Sequence, residues 1–270
     1  MIICALEDST RSSSGERLQA IQTICVMVTC FYTASRPGSL APSCTDFMKR
    51  GFYAKTGDMR FVKLTPTTID CQFRQANYKG FNDINAVERW FMLQHVTKAH
   101  NLLFEPSFWW TIFFLARGLF EVKTLDELWA YQGAELVVID KTQPLFLSST
   151  PGGRGLQEGV PATANAVSFA IRHAAVCAGL PASGMGCFRR DAGNDYAIKL
   201  GKDIGMLVLN HRRNGAIFDD HYSRSTANLP LVRVRLGEIE QESALAKVSW
   251  YSSDFAMTNA FTQSGITCTP

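Results

Sequence analysis

Ile69-Asp70-Cys71-Gln72-Phe73-Arg74 alternates apolar and polar side chains without a break. Successive side chains of a strand point to opposite faces, so this period of two predicts a half-buried strand. Phe61-Val62-Lys63-Leu64 is its partner, turning at Thr65-Pro66, and Asn77-Tyr78-Lys79-Gly80 predicts the next turn. A small antiparallel sheet is therefore expected within a chain otherwise patterned for helices. The fold class that follows is mainly α (α+β).

On the N-terminal side, Ser13 and Glu16 have the spacing of a capping box, and an apolar helix is expected from there to about Thr33. Arg36-Pro37-Gly38 breaks it, because the residue before a proline is pushed out of the helical region, and a helix restarts through Ser39-Leu40-Ala41. On the C-terminal side, helices are expected over Asn85–Gln94, Pro106–Phe120, Thr124–Tyr131 and Ala162–Ala178. Pro106 suits a first helical turn, Thr124 an N-cap, and Gly179 with Pro181 a helix end. Ser148–Gly159 reads as a loop rich in Gly and Ser; its Gly152-Gly153 pair lacks the Lys-Ser/Thr of a phosphate-binding loop. Four short segments follow, Cys187–Leu200, Asp203–Asn210, Gly215–Ser223 and Leu229–Leu236, and then a more polar tail. One domain over 1–236 and a C-terminal tail over 237–270, expected as a mobile arm, are the resulting organisation.

The chain has 270 residues, of which 46% are hydrophobic and 19% charged, so it can bury a large core and is not wholly disordered. Its formal charge of +3 neither demands nor excludes a nucleic-acid partner. The eight cysteines form no C-x-x-C pair and have no histidine at zinc-finger spacing. No secretory signal is visible in Met1–Arg17, and a reducing compartment is expected. The apolar runs Ala20–Tyr32 and Phe108–Ala116 fall short of the roughly 20 residues a membrane-spanning helix needs, so no membrane partner is expected.

Three segments combine residue types that serve phosphate chemistry. They are Thr33-Ala34-Ser35-Arg36-Pro37-Gly38-Ser39-Leu40, then Cys187-Phe188-Arg189-Arg190-Asp191-Ala192-Gly193-Asn194, then Leu209-Asn210-His211 with Tyr222 eleven residues on. Together they resemble the catalytic domain of tyrosine recombinases (phage integrases), closest to the recombinase-like proteins of fungal mobile elements. Arg36 matches the family's first arginine, in a turn after an apolar helix with Leu40 four residues on. Arg189 matches the second arginine, Leu209-Asn210-His211 the "L-G-H" motif, Tyr222 the nucleophile, and Lys79 before Gly80 the β-hairpin lysine. The resemblance spans roughly residues 15–236.

What the resemblance implies is a DNA breaking and rejoining enzyme working through a 3′-phosphotyrosyl intermediate. Tyr222 would attack the phosphodiester, Arg36 and Arg189 would clamp the non-bridging oxygens, His211 would hydrogen-bond the phosphate or take the tyrosine proton, and Lys79 would protonate the leaving oxygen. The covalent intermediate conserves the bond energy, so the chemistry calls for no cofactor. Arg190, Arg212, Arg213 and Arg224 are further candidate contacts to double-stranded DNA. A homo-oligomer on DNA and a nuclear location are also implied. Two departures stand out. The family's histidine three residues before the second arginine falls on Gly186. The N-terminal helical clamp of the family has no room ahead of these motifs.

Each residue has an ordinary structural role open to it as well. Arg36 suits an exposed turn, Arg189 and Arg190 a solvated helix face, His211 a helix C-cap, and Tyr222 a core position. Lys55 and Lys63 rival Lys79, and His95, His100, His173 and His221 read as structural or exposed. Residues 181–236 carry nine Lys/Arg against five Asp/Glu, a mild excess that suits either a DNA-facing side or a plain surface. Three alternatives therefore stay open: a type IB topoisomerase-like activity, a catalytically inactive DNA-binding relic, and a helical scaffold with no DNA role.

Overall fold

A computed structural model describes residues 13–76, 89–182, 184–209 and 229–238. The first helix, α1 (Ser14–Thr33), starts at the expected capping box: the Glu16 carboxylate accepts from the Ser13 amide at 2.8 Å, and the Ser13 hydroxyl accepts from the Glu16 amide. From Ile24 onward it is almost wholly buried, so it runs through the core as a central rod. It stops at Ala34, whose φ of 53° is left-handed, and the chain restarts as α2 (Pro37–Leu40) behind Pro37. A short helix α3 (Thr45–Lys49) follows.

The predicted sheet is present. Strands β1 (Met59–Lys63), β2 (Ile69–Gln75) and β3 (Arg89–Leu93) pair antiparallel in the order β1-β2-β3, with Phe61 opposite Cys71 and Phe73 opposite Phe91. The third strand corrects the expected helix over Asn85–Gln94, of which 85–88 lie outside the described residues. Arg89, Phe91 and Leu93 are buried while Trp90 and Met92 are half-exposed, which is strand periodicity. Pairing to β2 along five residues decides the conformation over local pattern.

The buried face of the sheet packs on α4 (Pro106–Ala116). Phe61 meets Phe114 with ring centroids 4.7 Å apart, and fully buried Trp110 donates to the Thr29 hydroxyl of α1 at 3.0 Å. The helix ends four residues before Phe120, because Gly118 turns the chain at φ 66° and Phe120 forms a bridge with Val138. Helix α5 (Leu125–Ala130) starts at its predicted cap, Thr124.

The loop expected over Ser148–Gly159 is instead a hairpin. Strands β4 (Leu147–Ser149) and β5 (Leu156–Pro161) pair antiparallel around a turn in which Gly152 and Gly153 have φ of 87° and 71°. Most of its side chains are exposed, so no buried stripe advertises it in the sequence.

Helices α6 (Ala164–Cys177), α7 (Gly186–Leu200) and α8 (Lys202–Val208) follow, the last two joined at Gly201. Thr163 caps α6, which leaves through Gly179 as expected. The apolar segment 229–236 forms α9 (Leu231–Arg235). Its Arg235 pairs with Asp191 and Asp195 of α7 and stacks 3.9 Å over the Phe31 ring, and Arg233 donates to His95 Nε2 at 3.3 Å. Three residues beyond Arg235 the Glu238 carboxylate accepts from the Thr97 amide and hydroxyl (both 2.7 Å), the Lys98 amide (3.1 Å) and Asn101 Nδ2 (2.8 Å). The start of the tail is thus anchored, and 239–270 lie outside the described residues, as does Gly215–Ser223. Among the described residues no single helix is long and apolar enough to cross a membrane. Burial pushes the thiols of Cys25, Cys30 and Cys71 up, which keeps them protonated.

Candidate functional site: an arginine pair at the end of the central helix

The turn carrying Arg36 is built from below. Thr33 Oγ1 donates to the Thr29 carbonyl at 2.7 Å and lies 2.6 Å from the Ser35 hydroxyl, which in turn donates to Gln75 Oε1 at 3.3 Å. The left-handed Ala34 lets the chain leave α1 at once, so Arg36 emerges as the N-cap of α2, half-exposed, directly above this buried network. Gln75 is the last residue of β2. The Arg36 turn is therefore fixed to the root of the strand pair whose connection contains Lys79.

Arg189 arrives from α7. Its Nη1 donates to the Ala34 carbonyl at 2.7 Å, and its Nη2 donates to the Leu209 carbonyl just past α8. One guanidinium thus joins the residue two before Arg36 to the residue two before His211. Burial, and then the like charge of Arg36, hold its pKa down to about 10. It is still cationic at neutral pH. Among the described residues no carboxylate forms an ion pair with Arg36 or Arg189. Two of the five guanidinium N–H donors of Arg189 are used, which leaves three for an anion.

Buried Arg89 completes the arrangement. It sits opposite Gln75 in the β2–β3 pairing, and its Nη1 donates to the Leu207 carbonyl of α8. Its place is set by pairing to β2 and carries no local mark in the sequence. Arg190 is exposed, one step round α7 from Arg189. Gly186 opens α7, and a side chain added there would meet nothing within 4 Å. Lys63 drops out as a rival to Lys79, since its ammonium donates to the carbonyls of Leu128, Trp129 and Tyr131 at the end of α5. Lys79, His211, Arg212, Arg213, Tyr222 and Arg224 lie outside the described residues. No protein-family model, no curated protein and no solved structure matches the chain.

Chemically, the two arginines are a like-charged pair without a compensating acid, held by backbone contacts at a surface turn. An anion accepting from both guanidinium groups would compensate this charge, and bidentate acceptance from arginine is open to carboxylates and phosphates alike.

Proposed function

We propose that the protein is a DNA strand-transfer enzyme of the tyrosine-recombinase kind, with Arg36 and Arg189 as its phosphate clamp. The observation that carries this is the position of the Arg189 guanidinium, which touches the Arg36 turn and the end of α8 together. In the proposed reaction the Tyr222 hydroxyl attacks phosphorus and loses its proton to His211. The P–O5′ bond breaks as the phosphotyrosyl bond forms, and Lys79 protonates the departing 5′ oxygen. Arg36 and Arg189 stabilise the charge that builds on the non-bridging oxygens.

The test is covalent trapping. Wild-type protein and Tyr222→Phe are incubated with supercoiled or nicked DNA, denatured and run on a gel. An adduct lost in the variant supports the proposal. Relaxation of plasmid without exchange between two sites would move the activity to the topoisomerase-like alternative.

A second reading is a DNA-binding relic without turnover. The commitment of both Arg189 terminal nitrogens to main-chain carbonyls favours it, because those contacts serve structure whether or not chemistry occurs. Salt-sensitive DNA binding that is equal in wild type and Tyr222→Phe, with no adduct from either, is its signature.

A further inference from the structure

The face of the sheet turned away from the core carries a second cationic cluster that the arginine pair does not use. Alternation places Arg60 of β1, Arg74 of β2 and Trp90 of β3 opposite to the buried Phe61, Phe73 and Phe91. Arg74 is directly across from Trp90, whereas Arg60 faces Gln72 and must reach over β2. It does so: its guanidinium lies 4.4 Å from the indole centroid, and that of Arg74 lies 5.8 Å away. A half-open cavity of about 530 Å³ lies here, lined also by Glu135–Val138 and Lys141. That is the size range of small-molecule sites.

The charges facing the cavity decide what it takes. Arg74 is neutralised by Asp58 at 2.6 Å. Arg60 and Lys141 form no ion pair among the described residues, so two positive charges remain for a ligand. Exposed Glu135 also lines the cavity, forms no ion pair among the described residues, and offers a carboxylate that can accept from a ligand donor. Anion, flat ring and donor occur together in a nucleotide whose base bears an exocyclic amino group. A guanidinium plane backed by an indole is a stacking surface for such a base.

We propose that this cavity binds an amino-bearing nucleotide, with the base on the Arg60–Trp90 stack, the phosphate at Arg60 and Lys141, and the base amino group at Glu135. The shared chemistry is a phosphorylated adenosine, cytidine or guanosine, supplied either as a free mononucleotide or as one unit of a single strand.

Calorimetric titration of the full chain with 5′-AMP and with a deoxyadenosine decamer tests the proposal. Binding should weaken about tenfold in Arg60→Ala and several-fold in the conservative Trp90→Phe, and stay unchanged in Lys49→Ala, at an exposed position of α3. A decamer bound more than about tenfold tighter than 5′-AMP, with the same dependence on Arg60, assigns the site to a strand. Equal affinity assigns it to the free nucleotide. The proposal is overturned if neither ligand binds at millimolar concentration, or if binding ignores Arg60→Ala. Thermal melting of each variant confirms folding. Because the titration reads ligand binding through Arg60 and covalent trapping reads adduct formation through Tyr222→Phe, the failure of one proposal is separable from the failure of the other.

Discussion

The Arg189 guanidinium donates to the carbonyl of Ala34 across 155 residues of chain, and its second nitrogen donates to the carbonyl of Leu209. Removing it strands two carbonyls at a partly buried junction. Arg189→Ala should therefore lower unfolding stability by about 1–3 kcal/mol in urea denaturation. Arg189→Lys should recover only part of that loss, because a single ammonium cannot fork between the two carbonyls as a guanidinium does.

Arg36 is expected to act in the opposite direction. It adds a positive charge beside one already depressed by burial. Arg36→Gln should stabilise the free protein slightly, by about 0.5 kcal/mol after screening at its half-exposed position. The same substitution should weaken DNA binding and shrink the slope of log affinity against log salt by about one. A Tm that rises while DNA affinity falls is the pattern to look for.

Glu238 gives the acid response. Partial burial raises its pKa, but the hydrogen bonds from Asn101, Thr97 and Lys98 outweigh this and hold it below the usual carboxylate range. A depressed carboxyl contributes stability above its unfolded pKa and loses it as pH falls through the folded value. Glu238→Gln should cost about 1 kcal/mol at neutral pH, and the gap to wild type should close on acidification. Urea midpoints of the two proteins across the acid range check this.

Two glycines predict contrasting outcomes. A methyl group on Gly205 would sit 3.0 Å from the Ala197 amide nitrogen and the Gly193 carbonyl oxygen, where α8 presses on α7. Gly205→Ala should cost about 1–3 kcal/mol and, by moving the end of α8, weaken the contact to Arg189. Gly186 faces open space, so Gly186→Ala should be neutral or stabilising by about 0.4–1 kcal/mol. Paired thermal melts settle both.

The first two strands were legible because β2 alternates over its full length and a Thr-Pro turn separates it from an apolar partner. The third was not, because the residues around Arg89–Leu93 mix apolar and polar types in a way that also fits a helix. Only pairing to β2 distinguishes the two. The hairpin of β4 and β5 was hidden for a different reason: a mostly exposed strand leaves no hydrophobic stripe to detect. At the site, Arg36 and Arg189 could be singled out by motif and do come together. Arg89, Gln75 and Ser35 could not, since their roles depend on groups far along the chain: the Leu207 carbonyl for Arg89, and each other for Ser35 and Gln75. The docking of Arg233, Arg235 and Glu238 was equally invisible, because partners 40 or more residues distant leave no local trace.

Helix α9 returns to the core after residue 228 and is gripped there independently, by buried Leu231 and Val232, by the two acids of α7 and by the Glu238 anchor. Covalent continuity through 210–228 is therefore not what keeps it in place. Two separately produced pieces of the chain, divided between Asn210 and Asn228, should therefore associate on mixing, and their co-elution in size-exclusion chromatography checks this.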